Sequence, residues 1–304
     1  MTLKTRHTIF LFITSFIWGT AFVAQSVGMD YLPPMAFNGI RTLLGGLVLL
    51  PFIWLTERRK PADQRRPIFP LDDKVLLKGG VLCGLVLAAA SILQQTSLLY
   101  ITAGKCGFIT AFYIILVPIY GIFLKRRCPA VTWIGVFIAL AGLYLLCIKE
   151  NFTLGRGDPL AFACAAIFAV HIMIIDRYSP LVDGVRMSCI QFLVAGGLCI
   201  ILMFFFEEVE WSYVLAAWRP VLYSGVLSCG VAYTLQVVGQ NGVEPTVASL
   251  ILSLESVFSV LAGWVVLHDV MTGRELTGCL LMFAAIILVQ LAPALQQKRK
   301  SGTV

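Results

Sequence analysis

One acidic residue, Glu255, lies near the middle of an apolar stretch that runs from Pro245 to Leu267. An α-helix of about 23 residues is about 34 Å long, which is enough to cross the hydrocarbon core of a bilayer, about 30 Å thick. A carboxylate at the centre of such a helix costs about 2.5 kcal/mol or more to insert into lipid. The sequence therefore predicts that Glu255 faces a polar interior formed by the rest of the chain.

Arg41 is the second charge within an apolar stretch, and its sign is opposite. One interpretation is a structural ion pair with Glu255, with the stem of Arg41 extended toward the membrane surface. Arg41 would then have a structural role. Alternatively, Arg41 would face a bound anion. The sharper hypothesis is that Glu255 faces a translocation path and changes its protonation or its partner during transport.

Several other polar or aromatic side chains lie at mid-depth in apolar stretches. Amides there often only bond a neighbouring helix, and Trp or Tyr is often only packing. His171 has no second His and no Cys–His pattern within the membrane, so a polar cavity lining or a proton-responsive role is expected rather than a metal site. The predicted substrate-binding residues are Trp18, Gln94, Gln95, Tyr113, His171, Tyr233, Gln236 and Glu255.

The composition is that of an integral membrane protein. Hydrophobic residues make up 59% of the chain and charged residues 13%, against about 45–50% and 25% in soluble domains. The net charge of +7 is spread over short loops, which indicates an orientation signal and a lipid bilayer partner rather than nucleic acid. The nine cysteines show no CxxC pair, so no disulfide framework, metal or cofactor is predicted.

Ten apolar segments are long enough to be membrane spans, so we expect an all-α fold. A tight turn over Ile101–Lys105 separates the third from the fourth, and Pro118 within the fourth is the candidate hinge. The predicted spans are Thr8–Gly28, Pro34–Leu55, Val75–Tyr100, Ile101–Leu124, Ala130–Ile148, Leu160–Tyr178, Gly184–Phe206, Pro220–Gln240, Pro245–Leu267 and Glu275–Leu295.

Charge and repetition predict the topology. Most of the 23 basic residues fall on one side if the N-terminus is inside, so both termini are expected in the cytoplasm. Arg41-x4-Gly46 is similar to Gln191-x4-Gly196, and Leu93-Gln94 to Leu235-Gln236. Two halves of five spans have opposite orientations, with a site near the midplane between them. We predict one repeat over residues 1–150, a second over 151–296 and a cytoplasmic tail over 297–304.

Motifs along the whole chain resemble the drug/metabolite transporter superfamily, EamA type. Ser15–Phe22 (SFIWGTAF) is similar to the family's opening W-G-x-x-F, and Phe37–Arg41 (FNGIR) to its F-x-x-x-R. Gly107 to Pro118 resembles its fourth span, and Ser253–Phe258 (SLESVF) its E-P-x-x segment. Ser256 stands where the family often has Pro, so the resemblance leaves a helix break there in doubt.

The resemblance implies ten helices in two inverted five-helix repeats and a central cavity that opens to each side in turn. Together with the residues it predicts a secondary transporter of the cytoplasmic (inner) membrane that moves small organic metabolites, amino acids or related solutes, outward by alternating access. A multidrug efflux carrier and an oligomeric channel are the alternatives; monomer and homodimer stay open. The chain has no phosphate loop for ATP coupling and no HExxH motif, so no enzyme activity is predicted.

Overall fold

A computed structural model describes residues 3–126, 128–148, 155–266 and 272–301. Within those ranges the chain is a bundle of helices joined by short connections, with a 3₁₀ turn at Ala62–Gln64 and a π-helical segment at Tyr223–Tyr233. The α-helices are α1 (Leu3–Met29), α2 (Pro34–Arg58), α3 (Lys74–Ser97), α4 (Ala103–Thr110), α5 (Tyr113–Phe123), α6 (Ala130–Cys147), α7 (Asp158–Tyr178), α8 (Gly184–Phe206), α9 (Trp211–Ala216), α10 (Trp218–Leu222), α11 (Thr234–Gln240), α12 (Pro245–Leu252), α13 (Glu255–Val266) and α14 (Gly273–Ser301).

Nine of the predicted spans are confirmed, in the part of the chain that the structure describes, as helices long and apolar enough to cross a membrane. One of them joins α4 to α5 across a kink, and another joins α10, the π segment and α11. The nine are Thr5–Met29, Pro34–Arg58, Lys74–Ser97, Gly104–Phe123, Ala130–Cys147, Asp158–Tyr178, Gly184–Phe206, Trp218–Gln240 and Gly273–Leu291.

The segment predicted as a span over Pro245–Leu267 is divided into α12 and α13. Its apolar helical part, Pro245–Leu261, is shorter than the other nine, and Leu267 lies outside the described residues. The count of ten membrane helices therefore stays a prediction.

The turn between the third and fourth spans lies a few residues earlier than predicted. α3 ends at Ser97, whose carbonyl oxygen accepts from the amides of Tyr100 (2.9 Å) and Ile101 (3.1 Å). The hydroxyl of Thr102 accepts from the amide of Lys105 (3.3 Å) and caps α4. The prediction of Ile101–Lys105 as the turn was wrong by three residues, because the threonine cap starts the helix at Ala103.

Helices of the first predicted repeat pack against helices of the second. α2 and α3 pack along α8, α3 also packs along α7, and α6 packs along α14. α6 and α14 approach closely: a Cβ on Gly142 would lie 2.8 Å from the Gly278 carbonyl oxygen, and one on Gly278 would lie 2.8 Å from that of Gly142. Small residues at such crossings let the two backbones pack directly against each other.

A buried arginine ties the α2–α3 connection to α8. Arg186 is 4% exposed and pairs with the Glu57 carboxylate at 3.1 Å. Its Nε donates to the carbonyl oxygen of Ile68 (3.2 Å).

The predicted boundary between the repeats, at 150/151, and residues 302–304 of the predicted tail lie outside the described residues.

Candidate functional site

A cavity of about 40 Å³ lies among α1–α5, α7 and α11–α13, with the π segment completing its wall. This volume has room for about three water molecules. Its walls combine aromatic, amide, hydroxyl and charged side chains from both halves of the chain. The lining residues are Trp18, Phe22, Gln25, Arg41, Gln94, Thr110, Tyr113, Phe168, Ile172, Ser228, Tyr233, Gln236, Leu252 and Glu255.

Glu255 reaches this cavity because the helix is interrupted immediately before it. The Leu254 amide donates to the Ile251 carbonyl oxygen (3.1 Å) and the Ser256 amide to that of Ser253 (3.3 Å), so the regular four-residue spacing is lost. Glu255 thus becomes the first residue of α13, where the positive end of the helix dipole favours a carboxylate. The residue is 6% exposed.

α1 packs very closely against the first turn of α13. A Cβ on Gly19 would lie 2.5 Å from the Glu255 carbonyl oxygen and 2.9 Å from the Ser259 amide nitrogen. Only a residue without a side chain fits there. The neighbouring Trp18 lines the cavity, where its Nε1 donates to the Ser228 carbonyl oxygen (3.4 Å) and its ring lies 4.5 Å from that of Tyr233.

A second interruption places Tyr113. Between α4 and α5 the Ile114 amide donates to the Ala111 carbonyl oxygen (3.0 Å), three residues back, and α5 begins at Tyr113. The Tyr113 hydroxyl is buried and has no hydrogen-bond partner among the described residues. Pro118, the predicted hinge, lies inside α5 beyond this kink, so the interruption does not coincide with it; its hinge role stays a prediction.

The π segment places the third wall. Wide π turns are rare in helices and concentrate at functional sites. Here the Thr14 hydroxyl donates to the Ala232 carbonyl oxygen (3.0 Å), which fixes α1 against the segment just before Tyr233. Tyr233 and Gln236 then line the cavity, and the Gln236 Oε1 atom is buried without a partner in the described part of the chain.

Arg41 lines the cavity but is held by its own helix. Its Nε donates to the Asn38 Oδ1 (2.9 Å), whose amide in turn donates to the Ser91 carbonyl oxygen (3.0 Å) on α3. Its guanidinium also lies 5.4 Å from the centre of the Phe37 ring. Among the described ion pairs none joins Arg41 to Glu255. The ion pair suggested from the sequence is therefore absent from the described residues, and the Nε of Arg41 bonds the side chain of Asn38 instead.

The structure brings six of the eight predicted binding residues to the cavity. These are Trp18, Gln94, Tyr113, Tyr233, Gln236 and Glu255. Gln95 and His171 do not line it; each is fully buried, Gln95 one position around α3 from Gln94 and His171 behind the wall on α7. Binding of a solute by any of them stays a prediction.

Several lining residues were missed by sequence reasoning. Phe168, Ile172 and Leu252 are apolar residues in apolar helices, and no local signal separates them from lipid-facing neighbours, whereas Phe22 ends the W-G-x-x-F motif. Gln25, Thr110 and Ser228 are polar residues within spans, and that polarity was the signal available for finding them.

The described residues contain no group of three or more His, Cys, Asp and Glu side chains that could hold a metal ion. The cysteines in the described ranges are free thiols. The cavity presents oxygen and nitrogen atoms and aromatic faces, with one carboxylate and one guanidinium.

Known proteins are similar to this chain along most of its length. The model of the EamA-like transporter family matches the chain twice, over residues 6–148 and 155–291. An uncharacterized transporter of Archaeoglobus fulgidus is 28% identical over 92% of this chain and 84% of its own length. The uncharacterized transporter YoaV of Bacillus subtilis is 25% identical (90% and 92%), and the uncharacterized inner membrane transporter YedA of Escherichia coli K12 is 23% identical (92% and 89%). One crystal structure is similar in fold, with a TM-score of 0.77 at 19% identity over 95% of this chain and 97% of that chain.

Proposed function

Since the chain belongs to the EamA-like transporter family, we propose that it is a secondary transporter that exports small organic metabolites, amino acids or related solutes, across the cytoplasmic membrane by alternating access. It is a carrier rather than an enzyme. Both termini lie in the cytoplasm, and two five-helix repeats of opposite orientation enclose the path. The two separate family matches, over 6–148 and 155–291, support the repeat.

The observation that supports the solute class is a pair of opposite charges facing one cavity without pairing to each other. Arg41 is already held by Asn38, and Glu255 has no ion-pair partner among the described residues. A zwitterion presents a carboxylate to the guanidinium and an ammonium to the carboxylate, so each buried charge gains a partner on binding. The aromatic faces of Trp18 and Phe168 suit an apolar side chain.

The size of the cavity supports alternating access. A cavity of about 40 Å³ is too small for an amino acid, whose binding site requires several times the volume of a few water molecules. The walls must therefore move to admit a solute. The kink before Tyr113 and the interruption before Glu255 are the places where two of the wall helices can bend.

A multidrug efflux carrier is the second candidate, and the aromatic walls favour it. An oligomeric channel has less support, because a chain with one carboxylate at the cavity could form a ring of like charges only by oligomerisation.

Counterflow in proteoliposomes tests the proposal. Vesicles are loaded with a mixture of unlabelled amino acids, and uptake of labelled ones is followed with no imposed ion gradient. We expect transient accumulation of at least one labelled amino acid, and only in loaded vesicles. Flux that is independent of internal solute would indicate a channel, and an absence of exchange for every amino acid would contradict the solute class and favour drugs or other metabolites.

A further inference from the structure

We propose that His171 and Gln191 form a positioning pair that holds two aromatic walls of the cavity and so limits the size of the solute. His171 does not line the cavity, and it acts through Phe168 and Tyr233, which do. This proposal deepens the transport function proposed above and rests on it.

The pair is a buried hydrogen bond between α7 and α8. His171 Nε2 and Gln191 Oε1 are 3.1 Å apart, and both residues are fully buried. An amide oxygen only accepts hydrogen bonds, so Nε2 carries the proton and donates. The imidazole Nδ1 and the amide Nε2 have no partner in the described part of the chain. The single bond between the two side chains is therefore the polar contact that fixes the orientation of the imidazole.

The imidazole of His171 packs against the rings of Phe168 and Tyr233, which form two walls of the cavity. Its ring centre is 6.4 Å from that of Phe168, at 77°, and 6.3 Å from that of Tyr233, at 81°. These are edge-to-face contacts, which prefer a defined angle as well as a distance. Phe168 precedes His171 by one helical turn on α7, whereas Tyr233 comes from the end of the π segment.

Tyr233 links the imidazole to Trp18 through direct contact between the two aromatic rings. Its ring lies 4.5 Å from the Trp18 ring and 6.1 Å from the Phe192 ring, the latter adjacent in sequence to Gln191. A change in the imidazole thus shifts Tyr233 relative to Trp18. Because Trp18 and Tyr233 are both part of the cavity wall, their packing limits how far the wall can move to admit a large solute.

The selectivity test uses labelled alanine and labelled tryptophan in the counterflow assay. In His171→Leu an alkyl group of similar size replaces the imidazole, which removes the bond to Gln191 and the edge-to-face contacts and so frees Phe168 and Tyr233 to move. We expect the ratio of kcat/KM for tryptophan to that for alanine to rise roughly tenfold. Gln191→Leu should give a similar rise, and the double variant no more than either alone, because both remove one interaction.

A merely structural role would lower transport of both solutes in proportion and leave the ratio unchanged, which would overturn the proposal. His171→Gln places an amide donor near the position of the imidazole Nε2 and should return the ratio toward the native value. Ser179→Ala is the matched control, because Ser179 is also a buried polar residue following α7 with no side-chain partner in the described chain. Its ratio should equal that of the native protein.

A second readout does not depend on the solute. With the other five tryptophans replaced by Phe, the fluorescence of Trp18 reports how well the Tyr233 ring shields it. His171→Leu and Gln191→Leu should each raise the acrylamide quenching constant of Trp18, whereas Ser179→Ala should not. Unchanged quenching in both pair variants would overturn the positioning role even if no amino acid proves to be a substrate.

Discussion

The contact between Gly19 and the start of α13 makes a single methyl group a severe perturbation. In Gly19→Ala the new Cβ would lie 2.5 Å from the Glu255 carbonyl oxygen, 2.7 Å from the Phe258 Cβ and 2.9 Å from the Ser259 amide nitrogen. Two of these three atoms are backbone, so no side-chain rotation relieves the contact. α1 and α13 must separate.

The size of the effect follows from those distances. Ordinary van der Waals contact begins at 3.4 Å, so the helices must separate by close to an ångström. Overpacking of this kind costs about 1–3 kcal/mol, which corresponds to a fall in melting temperature of about 2–5 °C for a protein of this size. Because Glu255 moves with the helix, transport should fall by about 100-fold.

The assay is thermal unfolding in detergent together with counterflow in proteoliposomes. Gly197→Ala in α8 is the matched control, since a Cβ there meets nothing within 4 Å and alanine favours a helix over glycine. It should melt at or above the native temperature and transport normally. If Gly19→Ala behaves like Gly197→Ala, the close packing of α1 against α13 is refuted.

Two further predictions concern stability. Arg186→Met removes a buried guanidinium that contacts the Glu57 carboxylate and the Ile68 carbonyl oxygen, and it should cost about 2 kcal/mol, since Lys60 still pairs with Glu57. Arg126→Met breaks an ion pair whose arginine side chain is 47% exposed, so its free energy of unfolding should fall far less, by about 1 kcal/mol or below; equal effects would contradict the burial argument. Thr14→Val removes the hydroxyl that donates to Ala232 and should cost about 1 kcal/mol. An unchanged melting temperature for Thr14→Val would show that this bond does not hold the π segment.

Charge and hydropathy made much of the architecture predictable. A carboxylate inside an apolar segment is visible without an alignment, and the cost of lipid exposure places it inside, so Glu255 was expected at a polar interior. Trp18 and Tyr233 were predicted as cavity residues from their positions within the apolar spans, and both line it. Nine spans followed from length and apolar composition.

The interruptions of the helices were not predictable. The regular bonds around Ser253 are replaced by three-residue turns, and the Ser253 hydroxyl donates to the Leu250 carbonyl oxygen (2.8 Å). Serine makes such bonds in unbroken helices as well. The π segment contains Gly225 and Gly230 but no residue that demands a π turn. Tertiary packing decides these features.

The sequence also did not show which side chains of a helix point into the cavity. Gln94 and Gln95 are adjacent in sequence and chemically identical, yet only Gln94 lines the cavity. One residue of an α-helix turns a side chain by about 100°, and an apolar segment buried on most sides gives no hydrophobic face to fix the rotation. His171 was predicted at the cavity but does not line it, for the same reason.

The role of Glu255 is tested most directly by counterflow with Glu255→Gln, measured across a range of pH. The amide has nearly the same shape but no charge, so we expect exchange to be lost, or to become independent of pH where native exchange depends on it. Glu208→Gln, at an exposed position on the loop after α8, should exchange normally and controls for the substitution. If Glu255→Gln retains both the native rate and the native pH dependence, Glu255 does not act on the translocation path.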